Sequence, residues 1–318
     1  MWDLSSRLVA IDLLTEPTDS FDATVREAVL RFQQSRRLHD DGVCDTSTWE
    51  SLVEAGFQLG DRLIFLTGPM IRGDDVADLQ VRLGSLGFDA GRVDGIFGPA
   101  TELAVTDFQQ NVGLVPDRVC GPETVAMLRR LKHRTGTTTV AGVRERRSLK
   151  RRAAELGTVR VALVHDGSAH QIIGIAGTDL RRLGAQVAVL TAPTWPEVAV
   201  EVNAFATDLC VAIELTDEVC CEAAYFETTG YSSTGGRLLA DLVVRELPTT
   251  PAWPLGRLVG MSLPILRETK PPTVALRLGP INEVNDQRTL VASAIATGVL
   301  HWLEAISTID LTAPTLQV

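Results

Sequence analysis

Residues 97–128 read FGPATELAVTDFQQNVGLVPDRVCGPETVAML, and residues 21–52 read FDATVREAVLRFQQSRRLHDDGVCDTSTWESL. The two stretches align without a gap when equivalent residues are taken 76 positions apart. The identical pairs include Phe21/Phe97, Ala28/Ala104, Phe32/Phe108, Gln33/Gln109, Cys44/Cys120 and Leu52/Leu128. Chance does not give this many identities at one offset, so the front of the chain contains one structural unit twice.

The second copy indicates what kind of unit is repeated. Apolar residues recur at helical spacing from Val76 to Leu86, and Gly87 is expected to end that helix. A second helix is expected over 101–110, and a third is expected to begin at Pro122. Three short helices around one small core fit about 55–60 residues, a size that can fold alone. The apolar side of the second helix is predicted to contain Leu103, Ala104, Val105 and Phe108.

The run V-x-x-L-Q-x-x-L-x-x-L-G-F, followed by V-D-G-I-F-G-P-x-T and V-C-G-P-E-T, is similar to the peptidoglycan-binding module of bacterial wall hydrolases. The resemblance is looser in the first copy, which lacks the opening glycine and the D-G-x-F-G loop. It implies that the modules bind a peptidoglycan fragment or precursor. A loop-shaping or core role is the alternative for these positions. The candidate binding residues are Asp94, Gly95, Phe97, Gly98 and Gln109.

Composition excludes some classes of function. A net charge of −10 argues against a nucleic-acid partner, because phosphate binding needs a concentrated basic surface. No run approaches the ~20 apolar residues of a membrane span, so no transmembrane segment is expected. The first residues, MWDLSSRLVAIDLL, contain no basic region and no small-residue cleavage site. With five cysteines and no C-x-x-C spacing, the sequence predicts a cytoplasmic protein with reduced thiols.

The start of the chain bears on the first module. The second copy has Gly73 and Asp74 before its first helix, whereas the first copy begins at Met1. We therefore expect the first helix of the first module to be short or poorly capped, as in a truncated module.

A basic connector follows the second module and reads KHRTGTTTVAGVRERRSLKRR over 132–152. Its Gly/Thr part is typical of a loop. The basic part suits either a solvated linker helix or a docking patch for an acidic partner or an anionic lipid surface. The basic residues are Arg144, Arg146, Arg147, Lys150, Arg151 and Arg152.

From residue 158 onward, short β-rich runs alternate with helical patterns. This alternation predicts an α/β domain with a central sheet flanked by helices. Strands are expected over 159–164, 185–190, 208–215, 223–228 and 273–278, and helices over 178–183, 233–247 and 289–306. The predicted organisation is thus a module over 1–57, a linker over 58–72, a module over 73–131, the connector over 132–157, the α/β domain over 158–307 and a tail over 308–318.

Three segments of this domain resemble the zinc-dependent N-acetylmuramoyl-L-alanine amidase family. The strand VRVALVHDGS resembles I-x-I-D-x-G-H-G-G, and TDLCVAIEL resembles A-D-x-x-I-S-I-H-A-N. The segment VALRLGPINEVND resembles the closing motif V-x-x-E-L-G-F-x-S-N-x-x-D. In that family, zinc is held by His, Glu and His, and a further Glu serves as general base.

The residues that this chemistry needs are replaced. The strand histidine that binds the metal falls on Glu214, and the general-base glutamate falls on Arg277. An arginine cannot take up a proton near neutral pH, so we expect no catalytic residues and no zinc. A rearranged metal site built from His165, His170 and Glu214 is the alternative. If the former site is filled, Glu214 and Arg277 should lie close together across it.

The whole arrangement resembles an actinobacterial group of amidase-like proteins that act inside the cell as regulators of peptidoglycan precursor synthesis. The resemblance implies a non-catalytic regulator or scaffold whose partners are a peptidoglycan fragment or precursor and a cell-wall synthesis protein. The alternative is an active zinc amidase that hydrolyses peptidoglycan. A weaker reading is an inactive homologue that retains affinity for muropeptides.

Overall fold

The computed structural model describes residues 1–131, 145, 149, 159–191, 195–228, 231–249 and 255–308. The chain divides into two compact units. The first lies within Met1–Val143, and the second lies within Arg144–Val318.

The first unit contains the two predicted modules, each with three helices. They are α1 (Trp2–Ala10), α2 (Ala23–Arg36) and α3 (Thr46–Glu54), then α4 (Asp74–Ser85), α5 (Pro99–Asn111) and α6 (Pro122–Arg130). The repeated helices begin with different chemistry in the two copies. Asp22 and Asp45 cap α2 and α3 through their side chains, whereas α5 and α6 begin with Gly-Pro, which presets the first helical turn.

The first helix is short, as expected. Helix α1 has 9 residues, whereas its counterpart α4 has 12, and neither helix has a side-chain cap. It still places Leu4 and Leu8 in the interior of the module, because these residues are four apart and share one face.

Two expectations about the second module were wrong. Leu103 is 63% exposed, because the buried face of α5 follows 101, 104, 105 and 108, and 103 lies on the other side of the helix. The segment 58–72, expected to be a linker, packs into the second module. Leu59 and Ile64 belong to its core, and Ile64 forms a β-bridge with Cys120.

The second unit is the predicted α/β domain. Its strands are β1 (Arg160–His165), β2 (Gln186–Leu190), β3 (Leu209–Leu215), β4 (Cys220–Thr228), β5 (Tyr231–Ser232), β6 (Arg257–Met261) and β7 (Thr273–Gly279). Its helices are α7 (His170–Arg182), α8 (Trp195–Ala204), α9 (Thr234–Glu246), α10 (Pro264–Glu268), α11 (Ile281–Asp286) and α12 (Arg288–Thr308). Helix α7 therefore begins eight residues before the predicted 178, and β6 was not predicted.

The strands form one mixed sheet in the order β2-β1-β3-β7-β4-β5, with β6 also paired to β4. Strands β2, β1, β3 and β7 run parallel, and β4 runs antiparallel to β7. The carboxyl ends of the parallel strands therefore share one edge, which is where sites form in sheets of this kind.

Helix α12 is a core helix of this unit. It is long and apolar enough to cross a membrane by length and composition, contrary to the expectation from the sequence, but half of it is buried inside the unit. Trp302 is fully buried and donates from Nε1 to the carbonyl of Gly235 in α9 at 3.0 Å.

Two connector residues, Glu145 and Leu149, fall within the described residues, and both pack on the α/β unit. Leu149 is buried in its core, and the Glu145 carboxylate accepts hydrogen bonds from Ser233 Oγ and from the N–H groups of Thr234 and Gly235. Glu145 thus caps the N-terminus of α9. The six basic residues of the connector and the tail after 308 lie outside the described residues.

Candidate functional site

The repeated modules share a buried glutamine with four internal partners. Gln109 Nε2 donates to Asp117 Oδ1 at 2.7 Å, to the carbonyl of Val119 at 3.0 Å and to Thr124 Oγ1 at 2.9 Å. Gln109 Oε1 accepts from the N–H of Arg118 at 3.1 Å. The side chain is therefore satisfied inside the module, where an unpaired amide would be costly.

The same arrangement occurs twice more. In the first module Gln33 bonds to Asp41, Val43, Thr48 and the N–H of Gly42. In the second module Gln80 bonds to Asp94, the carbonyl of Ile96, Thr101 and the N–H of Gly95. We call each set a glutamine clamp: one Gln on a helix, and a loop Asp followed two residues later by a bonded carbonyl and seven residues later by a Thr.

Of the five predicted binding residues, three are buried and two are partly exposed. Gln109 and Phe97 are buried, so their assignment as ligand contacts was wrong: one holds a loop and the other fills the core. Gly95 is also buried and adopts a φ of 72°, which favours glycine. Asp94 and Gly98 are partly exposed, and a ligand contact remains a prediction for these two residues.

The first module has replaced one of its clamps. The position equivalent to Asp94 is Thr18, and the loop there is held by Ser5. Ser5 Oγ donates to the carbonyl of Thr18 at 2.7 Å and accepts from its N–H at 3.0 Å. The loop is fixed by a shorter side chain and with fewer bonds, so its outer surface differs from that of the second module.

In the α/β unit, the two predicted positions are direct neighbours. Glu214 on β3 is paired in register with Arg277 on β7, and Arg277 is paired with Glu222 on β4. Glu222 is paired with Arg257 on β6. Residues paired in register lie on the same face of a sheet, so these four side chains form one row of alternating charge. We call this row the charge ladder.

Arg277 is bonded to one carboxylate and lies in register between two others, Glu214 and Glu222. Its Nη2 donates to Glu218 Oε2 at 2.8 Å, and its side chain is 20% exposed. Glu222 forms an ion pair with Arg257 at the outer end of the ladder. The ladder thus continues across the position where the family places its general base.

Gly279 brings the loop that carries Glu218 close to this row. A Cβ at Gly279 would lie 2.2 Å from the carbonyl oxygen of Glu218 and 2.4 Å from that of Thr216. Only glycine permits this approach of two backbones. Gly279, which matches the glycine of the family's E-L-G motif, therefore allows β7 to pack closely against the 216–218 loop.

Cys220 lies beside the same charges. Burial raises the pKa of its thiol to about 11, the positive charge of Arg277 opposes that rise, and Glu222, Glu218 and Glu214 add to it. The thiol therefore stays protonated at neutral pH, which makes it a poor nucleophile.

The alternative metal site is not assembled. His165 is paired in register with Ile213, the residue before Glu214, so His165 and Glu214 point to opposite faces of the sheet. His165 Nδ1 accepts from the N–H of Gly167 at 2.9 Å, which occupies that ring nitrogen. Across the described ranges, no group of three His, Cys, Asp or Glu side chains is placed to hold a metal ion.

The loop after β1 has its own bonding pattern. Ser168 Oγ, near the family's first metal-binding histidine, donates to Asp166 and accepts from the N–H of Leu215 at 3.2 Å. His165 is buried, and this burial lowers its pKa; Asp166 opposes the shift and His170 adds to it. Zinc does not fit a site in which the guanidinium of Arg277 lies beside Glu214 and His165 lies on the other face of the sheet.

Comparison with known proteins agrees with this two-part organisation. The model of the putative peptidoglycan binding domain matches residues 3–52 and 72–128. The spore cortex-lytic enzyme of Halalkalibacterium halodurans is 45% identical over 56 residues, which are 18% of this chain and 17% of that protein. The match has about the length of one module, and this chain covers only a small part of that protein.

Two solved structures resemble part of the chain. The N-acetylmuramoyl-L-alanine amidase AmiC2 of Nostoc punctiforme has a TM-score of 0.38 and 16% identity, covering 46% of this chain and 99% of that one. The N-acetylmuramyl-L-alanine amidase Ami1 of Mycobacterium smegmatis has a TM-score of 0.37 and 14% identity, covering 46% of this chain and 98% of that one.

One relative spans both units. The protein named N-acetylmuramoyl-L-alanine amidase CwlM of Mycobacterium tuberculosis is 32% identical, with 93% of this chain and 80% of the relative covered. From the paired modules, the α/β unit and this relative, we conclude that the chain belongs to the CwlM family, in which peptidoglycan-binding modules precede an amidase-like domain.

Proposed function

We propose that this protein is a non-catalytic, amidase-like regulator or scaffold of peptidoglycan precursor metabolism, and that it acts by binding. The observation that carries the proposal is the charge ladder. By the motif resemblance, Glu214 and Arg277 fall at the family's metal-ligand and general-base positions; in the structure they lie in register, and Arg277 donates to Glu218 at 2.8 Å.

The chemistry of these groups argues against hydrolysis. A general base must take up a proton from water, and a guanidinium remains protonated at every physiological pH. A fixed positive charge beside Glu214 also opposes the approach of a divalent cation. The second candidate is a zinc-dependent amidase, since several similar proteins are named amidases. For that activity, His165 and Glu214 would have to reach the same ion from opposite faces of the sheet.

Binding through the modules supplies the proposed first partner, a peptidoglycan fragment or precursor. We assign this ligand to the side of the second module on which the partly exposed loop residues Asp94 and Gly98 lie. A cell-wall synthesis protein is the proposed second partner. We place the protein in the cytoplasm, where its five cysteines would remain the free thiols that they are in this structure.

The test measures zinc and turnover together. Full-length protein is dialysed against zinc, its metal content is determined by mass spectrometry, and release of stem peptide from muramyl peptides is followed by chromatography. We expect substoichiometric zinc and no peptide release, in the wild type and in Glu214→Ala alike. Zinc-dependent release that disappears in Glu214→Ala would overturn the proposal.

A separate measurement tests the binding function. Soluble muropeptides are titrated into the full chain with Asp94→Asn as the variant, because asparagine keeps the Oδ1 acceptor for Gln80 and for the N–H of Ile96 and removes only the charge. Asp107→Asn, at an exposed position on α5, is the matched control, and we expect weaker binding only for Asp94→Asn. If the two variants bind as the wild type does, the assignment of this loop is wrong, whatever the outcome for zinc.

A further inference from the structure

The two modules of the first unit are joined by a bidentate ion pair. Arg36, the last residue of α2, donates from Nη1 to Asp74 Oδ1 at 2.7 Å, and its Nη2 lies 2.6 Å from Asp74 Oδ2. Asp74 is the first residue of α4, so the pair links a helix of one module to a helix of the other. The guanidinium of Arg36 also lies 5.4 Å from the ring centroid of the buried Phe32. These two contacts fix Arg36 between the modules.

A second arginine holds the next residue of α4. The side chain of Asp75 is fully buried, and Arg62 donates to both of its oxygens, from Nε at 2.7 Å and from Nη2 at 3.0 Å. Arg62 also lies 3.7 Å from the ring centroid of Phe57, which follows the last helix of the first module. A buried carboxylate requires such a partner, because an unpaired buried charge is costly. We call Arg36, Arg62, Asp74 and Asp75 the joint.

The segment just before α4 pairs with the loop to which we assign the peptidoglycan ligand, residues 94–98, here called the ligand loop. The N–H of Gly73 donates to the carbonyl of Gly95 at 3.1 Å. The N–H of Phe97 donates to the carbonyl of Ile71 at 2.9 Å. The backbone of the ligand loop is therefore held by the three residues that lead directly into the joint.

The joint in turn holds that segment. Arg62 Nη2 donates to the carbonyl of Arg72 at 2.5 Å. A Cβ at Gly73 would lie 2.3 Å from Asp75 Oδ1 and 2.7 Å from Arg62 Nη2, so the glycine leaves room for this ion pair. Asp74, which Arg36 holds from the first module, is the residue after Gly73. The contacts thus run without a break from the first module to the ligand loop of the second.

We propose that the joint positions the ligand loop, and that Arg36 of the first module is a positioning residue for the ligand site of the second. The proposal rests on the proposed binding function of that loop and adds that the first module controls its affinity. Arg36 touches no residue of the loop itself in the contacts described above; it acts through Asp74 and the segment before α4. Because binding and conformation are linked, a ligand that orders the loop should also stabilise the joint.

The test uses Arg36, because replacing Arg62 would leave the buried Asp75 unpaired and destabilise the whole module. Hydrogen exchange is measured on the full chain without ligand, at the amides of Gly95, Ile96 and Phe97. We expect exchange at these amides to be about threefold or more faster in Arg36→Met than in the wild type.

Two controls separate positioning from a general loss of stability. Arg82→Met breaks an ion pair with Asp78 that has the same 2.7 Å distance and a similar exposure but lies within α4. It should leave exchange in the ligand loop unchanged. The 117–119 loop of the same module is held by Gln109 and should keep its protection in both variants.

Binding is measured separately, with muramyl dipeptide as the probe. We expect Arg36→Met to bind it about threefold to tenfold more weakly than the wild type, and Arg82→Met to bind it equally well. If the wild type does not bind the probe, the assignment of the ligand fails, and the exchange measurement alone decides whether the joint positions the loop.

A charge exchange provides the rescue. Arg36→Asp and Asp74→Arg should each accelerate exchange in the ligand loop, and the double variant should lie closer to the wild type than either single variant does. The proposal is wrong if Arg36→Met leaves exchange in the ligand loop unchanged, or if that variant accelerates exchange equally in the 117–119 loop. It is equally wrong if the double variant restores no protection, or if Arg36→Met keeps full affinity for a probe that the wild type binds.

Discussion

Glu214 and Arg277 are paired in register on the neighbouring parallel strands β3 and β7, so their side chains leave the sheet on the same face. Arg277 donates to Glu218, β4 contributes Glu222 and β6 contributes Arg257. The two replaced positions therefore belong to one row of charged side chains. A substitution of one member should change the electrostatic environment of the others.

Replacing Arg277 removes the positive charge that several carboxylates share. We expect Arg277→Met to destabilise the α/β unit by about 1–3 kcal/mol, because the arginine is partly buried and the carboxylates lose their partner. Urea unfolding at pH 7 measures the loss. Arg182→Met is the control. Arg182 pairs with Asp179 but is 75% exposed, so its loss should change stability by less than about 0.5 kcal/mol. Equal effects of the two substitutions would contradict the role given to the ladder.

A methyl group at Gly279 would meet two carbonyl oxygens of the 216–218 loop. Gly279→Ala should therefore destabilise the unit by about 2 kcal/mol or more, since two backbones must separate. Gly174→Ala is the matched control, because no atom lies within 4 Å of a Cβ at that exposed position in α7. It should be neutral or stabilising by up to about 1 kcal/mol. Thermal unfolding of both variants distinguishes close packing from a general effect of replacing glycine.

Gln109 can be tested against its neighbour in the sequence. Gln109→Leu removes the partner of the buried Thr124 and of the exposed Asp117, so we expect a loss of about 1–3 kcal/mol. Gln110→Leu changes an exposed residue and should cost little. Hydrogen exchange of the 117–119 loop should increase in the first variant only. Unchanged protection of that loop would show that the clamp does not hold it.

His165 predicts a pH dependence of stability. Burial lowers the pKa of His165 in the folded protein, so the unfolded chain binds the additional proton more readily. Its contribution to stability is present above 6.5, the ordinary pKa of histidine, and is lost as the pH falls below that value. The urea concentration at the unfolding midpoint should therefore be lower at pH 5.5 than at pH 7.5, and His165→Gln should make this decrease smaller. His301→Gln, at an exposed position paired with Glu246, is the control. A slope unchanged by His165→Gln would refute this assignment.

Local patterns in the sequence predicted the fold better than they predicted the site. The repeat and the strand–helix alternation depend on short-range periodicity, which burial in the structure follows closely. The inclusion of Ile64 in the second module depends on its pairing with Cys120, 56 positions away, and no local pattern encodes that pairing. The separation of His165 from Glu214 depends on strand register, which a shift of one residue would reverse. The sequence signal for the glutamine clamp was present as D-x-[VI]-x-x-x-x-T, but it reads as a surface loop until the buried Gln is placed.

The glutamine clamp allows the fold of a module to be conserved independently of the ligand that the module binds. The residues by which such a module is most easily recognised in a sequence are directed inward, where they secure two loops to a helix. Natural selection can therefore rewrite the outward residues, as between the two modules of this chain, while the recognisable signature stays the same. Membership of the family consequently reports how a segment folds, and the molecule that it holds has to be established module by module.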